Sequence, residues 1–136
     1  MDAAILDTDI LSEVLKRKNA QVLTTARQYL IEHQRFAFSE FTVYEIVRGM
    51  RSQPASQQLV AFLKTVNTSD VFPVSRKVFL RAADLWVEAR RGGYPKGDAD
   101  LIIAATALEA GRVLVTGNTA HFSWITGLRL ADWRTP

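Results

Sequence analysis

The chain has 136 residues, of which 48% are hydrophobic and 23% are charged. These proportions are typical of globular domains and exclude fibrous, low-complexity and disordered classes. The absence of cysteine excludes disulfides, thiolate nucleophiles and cysteine-ligated metals, so any metal must be held by oxygen atoms or by the two histidines. A net charge of +3 permits a polyanionic partner but does not require one. We expect a single domain over residues 1–136.

The N-terminal segment MDAAILDTD carries an acid at position 2 and only a short apolar run, so it predicts neither a signal peptide nor a membrane span. We therefore expect a cytoplasmic protein. The apolar residues 3–6 predict a buried strand that ends at Asp7. Thr8 or Asp9 is expected to cap a short helix that runs to about Lys16.

The next elements alternate between helix and strand. Asn19 can cap a second helix that runs to about position 33, and residues 36–38 predict a second strand. Ser39 is a natural N-cap for a helix over 40–50, and another helix is predicted to begin near Pro54.

The second half of the chain continues this alternation. The predicted elements are a strand at 71–74, a helix from Ser75 to just before Gly92, a helix over 98–110, and strands at 113–116 and 128–131. Asp98 is well placed to cap the helix over 98–110, and Gly111 stops it. Alternating strands and helices predict an α/β fold with a mostly parallel sheet, whose sites form beyond the carboxyl ends of the strands.

Asp7 is the first candidate for chemistry. A carboxylate that adjoins an apolar strand lies near desolvated surroundings, and a buried unpaired charge is costly unless a cation or donors compensate it. A functional role is therefore favoured for Asp7. Asp9, two residues later, fits a turn or helix cap as well as it fits a site.

Asp100 and Glu45 are the further candidates. Asp100 shares a helical face with Ile103 and Ala107, which predicts that its carboxylate points toward the interior. Glu45 faces away from the main apolar stripe of its helix, and a solvated side chain or an ion pair with Arg48 is the simpler interpretation. That helix is nonetheless apolar on nearly all sides, which favours burial.

Carboxylates that converge at a strand edge without cysteine are the ligands that hard ions such as Mg²⁺ or Mn²⁺ require, and such ions suit phosphate chemistry. Other signals are weaker. His33 and His121 have no serine or cysteine partner at a recognisable spacing. The tryptophans Trp86, Trp124 and Trp133 are more typical of core or dimer contacts than of base-stacking surfaces. The basic clusters, such as Arg90 with Lys96, are more typical of solvated helix ends than of nucleic-acid contacts.

Taken together, ILDTDILSEVL, FTVYEIVRGM, GDADLIIAATALEAG and VLVTGNTAHFSWITGLRLADW resemble the PIN domain, and within it the VapC-type toxins of VapBC toxin–antitoxin pairs. The resemblance covers nearly the full chain. It implies a PIN-like three-layer α/β/α fold with a central, mostly parallel sheet flanked by helices. It also implies a metal-dependent endoribonuclease that cleaves single-stranded RNA with Mg²⁺ (or Mn²⁺), a homodimer, and a VapB-type antitoxin that blocks the site.

Carried over by position, the resemblance implies that Asp7, Glu45 and Asp100 are catalytic residues and metal ligands. The family often has a fourth acid after the strand that matches VLVT, where this chain has Asn118 and His121 instead. Asn118 is then expected to orient water or substrate, and Asp98 is the candidate for the additional metal ligand.

The resemblance also suggests residues that contact the substrate. Thr8 and Thr116 lie beside the site, and Arg48 is expected to hold the RNA strand. The expected reaction is hydrolysis of an RNA phosphodiester, with the acids positioning one or two ions.

Two other functions remain open from sequence. LDTDIL also resembles the nucleophile motif of haloacid-dehalogenase-like phosphatases, in which Asp7 would attack phosphate. The late acids here open a long helix instead of following a strand, which argues against that class. The loss of the fourth acid also allows a non-catalytic PIN-like module that only binds RNA or a partner.

Overall fold

The protein is described by a computed structural model that covers residues 1–52 and 57–136. Its strands are β1 (Ala4–Leu6), β2 (Ala37–Ser39), β3 (Asp70–Phe72), β4 (Val113–Val115) and β5 (Leu130–Ala131). Its helices are α1 (Thr8–Lys16), α2 (Ala20–His33), α3 (Glu40–Arg51), α4 (Gln57–Asn67), α5 (Arg76–Gly92) and α6 (Asp98–Ala110), and a 3₁₀ turn spans Thr119–His121. The predicted helix start near Pro54 lies outside the described residues.

All strand pairs are parallel, as the alternation of strands and helices predicts. β4 pairs with β1 on one side and with β5 on the other, and β2 pairs with β3. Hydrogen bonds thus form a three-stranded sheet and a two-stranded sheet, and β1 contacts β2, so the strands lie in the order β3, β2, β1, β4, β5. The carboxyl ends of β1, β2 and β4 therefore lie along one edge of the sheet, where Asp7, Ser39 and Thr116 follow them.

Side-chain alternation along β1 and β4 divides the core between the two faces of the sheet. Ala4, Leu6 and Val115 pack with α1–α4 on one face. Ile5 and Leu114 pack with α5 and α6 on the other. The result is the predicted three-layer α/β/α arrangement.

Helix α6 is apolar on nearly all sides and is buried from Leu101 to Ala107 except at Ile102, which is partly buried. It ends at Gly111, which has a φ of 64° and adopts the left-handed conformation that glycine tolerates best. Its two ends are more exposed than this interior, and the first turn carries Asp98 and Asp100. This first turn lies near the edge of the sheet that carries Asp7.

Two capping predictions are wrong. Asp7, and not Thr8 or Asp9, is the N-cap of α1, because Asp7 keeps an extended backbone while Thr8 is already helical. Gly97, and not Asp98, is the N-cap of α6, and its backbone is extended while Asp98 begins the helix. Asn19, Ser39 and Ser75 cap their helices as predicted. Among the described residues, no helix is long and apolar enough to cross a membrane.

Candidate active site

Asp7 is held by two hydrogen bonds at the carboxyl end of β1. The Thr8 backbone N–H donates to Asp7 Oδ1 at 2.8 Å, and the Thr116 hydroxyl donates to Asp7 Oδ2 at 2.8 Å. Asp7 is only 7% exposed, and Thr116 is fully buried. Because Thr116 directly follows β4, the pairing of β1 with β4 fixes the distance between the two side chains.

Burial is the largest cause that raises the pKa of Asp7 from 3.8 to about 6, and the negative charge of Asp9 is the second. The hydrogen bonds from Thr116 and Thr8 oppose this rise, and the charge of Asp100 adds to it. Within residues 1–52 and 57–136, Asp7 forms no ion pair. At neutral pH the site therefore contains a buried negative charge that would be stabilised by a cation.

Asp9 contributes to this site although sequence alone does not distinguish a cap from a functional residue there. Its Oδ2 accepts a hydrogen bond from the Gly117 N–H at 2.9 Å, and its Oδ1 accepts one from the Ile10 N–H at 2.7 Å. Partial desolvation raises the pKa of Asp9, and these two bonds oppose the shift. The two-residue spacing in LDTD is the only sequence signal for this arrangement.

Glu45 reaches the site through Thr8. The Thr8 hydroxyl donates to Glu45 Oε1 at 2.7 Å and lies 3.0 Å from Thr42 Oγ1. The suggested ion pair between Glu45 and Arg48 is absent from the described residues, because the Arg48 guanidinium instead packs over the Tyr44 ring, 5.0 Å from its centroid. Thr42 is fully buried, so the side of α3 that carries Glu45 faces α1, and Glu45 itself is partly exposed.

Asp100 lies at the rim of the site and not in its interior, contrary to the expectation from its helical face. Its side chain is 36% exposed, and its Oδ2 lies 3.3 Å from His121 Nδ1. The reason is its place in the first turn of α6, where burial begins only at Leu101. Asp98 is exposed.

The segment after β4 carries the remaining candidates. Thr116 Oγ1 accepts a hydrogen bond from the Asn118 N–H at 3.1 Å, so Asn118 supports the hydroxyl that binds Asp7. The Asn118 residue is exposed and its side chain does not cap the 3₁₀ turn that follows it. The imidazole of His121, and not the Asn118 amide, is the side chain of this segment that contacts a candidate acid.

The donor set fits a hard divalent cation by its chemistry. It consists of carboxylates with one imidazole nearby, and its buried acid at Asp7 lacks a compensating positive charge. In the described part of the chain, no three histidine or acidic side chains stand close enough together to form a complete metal site. Asp7 interacts electrostatically with Asp9 and Asp100, whereas Glu45 is connected to the site through Thr8.

Comparisons with known proteins assign the chain to a family. The family profile of the PIN domain matches residues 4–125, and the chain belongs to this family. The fold and the family are thereby those that the sequence motifs predict. The comparisons support the ribonuclease interpretation over the phosphatase alternative.

Several relatives span nearly the whole chain. The chain is 29% identical over 130 residues to the tRNA(fMet)-specific endonuclease VapC of Shigella flexneri, with 95% of this chain and 96% of the relative covered. It is 28% identical over 130 residues to Ribonuclease VapC1 of Haemophilus influenzae strain R2866, with the same coverage of 95% and 96%.

Solved structures show the same fold. A chain of the DNA-bound VapBC crystal structure from Salmonella typhimurium superposes with a TM-score of 0.86 at 25% identity, covering 98% of this chain and 99% of that one. A chain of VapBC-1 from nontypeable Haemophilus influenzae gives a TM-score of 0.82 at 26% identity, covering 96% and 97%.

Proposed function

We propose that the chain is a VapC-type endoribonuclease, the toxin of a type II toxin–antitoxin pair, which cleaves single-stranded regions of RNA. Its partner is a VapB-type antitoxin, and the protein acts in the cytoplasm as a homodimer of one PIN domain per chain over residues 1–136. The observation that carries this proposal is the buried carboxylate of Asp7, which has no cationic partner among the described residues and lies within the region that matches the PIN domain.

 Relatives that are 28–29% identical to this chain cover 95% of its length. Asp7 follows the first strand of the PIN domain match, which begins at residue 4.

We assign the acids of the site as follows. Asp7, Glu45 and Asp100 are catalytic residues and bind the metal, and Asp98 is the additional ligand. When bound, Mg²⁺ (or Mn²⁺) lowers the pKa of a coordinated water and offsets the charge that develops on the phosphodiester. Support comes from the oxygen donors of these side chains and from the electrostatic coupling of Asp7 to Asp100.

The neighbouring polar residues hold the acids in place. Thr116 donates to Asp7, and Thr8 donates to Glu45, so each hydroxyl restricts the orientation of one carboxylate. Asn118 supports Thr116 through its backbone N–H, which leaves its exposed side-chain amide available to substrate. Arg48 is exposed on α3 and free of an acidic partner in the described residues, so it can contact an RNA phosphate.

RNA cleavage by the purified protein, free of antitoxin, tests this function. We expect wild type with Mg²⁺ or Mn²⁺ to cut unstructured RNA, and EDTA to abolish cleavage. Asp7→Asn and Asp100→Asn should each lower the rate by at least about 100-fold, more than is usual for residues that only support a metal ligand. Asp84→Asn, which changes an exposed acid of α5, is the matched control and should cut like wild type.

The substrates should include tRNA, because one relative is named a tRNA(fMet)-specific endonuclease. A non-catalytic RNA-binding module is the second candidate, because His121 and Asn118 stand where the family often has a fourth acid. If wild type cuts no RNA better than Asp7→Asn does, the ribonuclease proposal is wrong and the non-catalytic candidate is favoured.

A further inference from the structure

A pair of stacked aromatic rings lies beside the carboxylate site. The rings of Tyr94 and Trp124 are 5.0 Å apart between centroids, with an angle of 7° between their planes. The Trp124 indole N–H donates to the His121 carbonyl at 2.9 Å, and the His121 ring contacts Asp100. Two contacts therefore connect the aromatic pair to the rim of the site.

The exposure of Tyr94 is not explained by core packing. Tyr94 is 44% exposed, whereas Trp124 is partly buried against the core on the α5 and α6 side. Gly92 leaves room for the Tyr94 ring, because a Cβ atom at Gly92 would collide with Tyr94 Cε2. The end of α5 thus accommodates an aromatic ring that remains open to solvent.

Two cations lie over a third aromatic ring, that of Trp86 on α5, close in sequence to Tyr94. The Arg90 guanidinium lies 5.6 Å from the centroid of the Trp86 ring, and Lys96 Nζ lies 5.7 Å from it. Arg90 and Lys96 are both exposed, and Lys96 follows Tyr94 by two residues in the loop that leads to α6. We call Trp86, Arg90, Tyr94, Lys96 and Trp124 the aromatic-basic patch.

We propose that the aromatic-basic patch binds an unpaired nucleotide of the RNA next to the bond that is cut. The base stacks on the exposed part of Tyr94, and Lys96 and Arg90 contact the backbone phosphates. Single-strand-binding surfaces combine aromatic rings with cations in this way, because every base has a face that can stack and every nucleotide carries a charge. The inference rests on the proposed ribonuclease function and extends it, since stacking requires a base that is not paired.

Binding of a short fluorescent single-stranded RNA, measured by anisotropy in EDTA so that no cleavage occurs, tests the patch. Tyr94→Ala should weaken binding by about fivefold or more, the range expected for loss of one stacked base. Tyr94→Phe should bind like wild type. Phe79→Ala is the matched control, because Phe79 is an exposed aromatic near the other end of α5.

A strand made of stable abasic analogues separates stacking from other effects. The difference between wild type and Tyr94→Ala should disappear on this strand, because no base remains to stack. Lys96→Ala should instead reduce the slope of log affinity against log salt by about 0.7, the value for one phosphate contact on a single strand. Gly92→Ala should weaken binding of the normal strand by displacing the Tyr94 ring.

The results distinguish this inference from the ribonuclease proposal. If wild type cuts no RNA while Tyr94→Ala still weakens binding of the normal strand alone, the patch is supported and the nuclease is not. If wild type cuts RNA and Tyr94→Ala binds and cuts like wild type, the patch is overturned and the nuclease stands. Equal weakening on normal and abasic strands also overturns stacking by Tyr94.

Discussion

Asp7 and Asp100 belong to the same candidate site, but the fold treats them differently. Asp7 is 7% exposed and receives hydrogen bonds from Thr8 and Thr116. The Asp100 side chain is 36% exposed and contacts only His121 among the described residues. The comparison indicates that burial of the Asp7 charge lowers the stability of the fold at one end of the site. The rim at Asp100 remains accessible to solvent and substrate.

The largest expected effect concerns the pH dependence of stability without metal. Because burial raises the pKa of Asp7 from 3.8 to about 6, the folded chain keeps a proton between these values that the unfolded chain has lost. Ionisation of Asp7 therefore lowers the free energy of unfolding as the pH rises from about 4 to about 6, by about 3 kcal/mol in total. Urea unfolding in EDTA at pH 4 to 8 should show this decline in wild type.

Asp7→Asn is the matched variant for that experiment, because an amide keeps the size of the side chain and has no charge to bury. Its stability should vary less with pH than that of wild type and should exceed it at pH 8. Equal pH dependence in the two proteins would show that Asp7 is not the group responsible.

Thr116→Val removes the hydroxyl that donates to Asp7 Oδ2. At pH 8 we expect a loss of about 1.5 to 3 kcal/mol, because a buried charged acceptor loses its donor, and a 10- to 100-fold slower cleavage of RNA. Thr106→Val is the control, since within residues 1–52 and 57–136 the buried Thr106 hydroxyl bonds only to the Ile102 carbonyl of its own helix. Similar cleavage rates in the two variants would contradict a positioning role for Thr116.

Thr8→Val tests the link to Glu45 and should have a smaller effect, because both side chains are only partly buried. We expect a loss of about 1 kcal/mol and a decrease in cleavage of up to about tenfold. Thr24→Val, at an exposed hydroxyl of α2 that bonds to the Ala20 carbonyl, provides the comparison. Unchanged cleavage by Thr8→Val would indicate that Glu45 does not need this bond.

His121→Ala should have the smallest effect. An exposed contact such as that between His121 and Asp100 contributes less than about 1 kcal/mol, and we expect cleavage to decrease by no more than about fivefold. If His121→Ala slows cleavage as much as Thr116→Val does, the distinction between a constrained interior and an accessible rim is wrong.

The sequence predicts the fold well because strands and helices here follow local patterns. The apolar run before Asp7, the caps at Asn19, Ser39 and Ser75, and the stop at Gly111 all lie in the structure where they are predicted. The cap of α6 is predicted one residue too late, and that of α1 one or two residues too late. The N-cap is the last residue with an extended backbone before the helix. Side-chain preferences do not determine which of several neighbouring residues with good capping propensity takes that conformation.

The candidate site is less predictable, because its contacts join distant segments. Periodicity places Asp100 inside, but the first turn of α6 extends to the rim before burial begins at Leu101. The role of Thr8 in binding Glu45 depends on how α1 and α3 pack. The stacking of Tyr94 on Trp124 joins two loops and has no periodic signal at all.

Divalent-cation binding at pH 8 tests the central claim most directly, because it reports on the Asp7 carboxylate without depending on the choice of RNA. Calorimetric titration and thermal unfolding with Mn²⁺ should show that wild type binds the ion and is stabilised by it, by about 2.7 kcal/mol at 100 times the dissociation constant. Asp7→Asn should bind far more weakly and gain little stability. Equal binding and stabilisation of wild type and Asp7→Asn would contradict the account of Asp7 as the centre of a cation-dependent site.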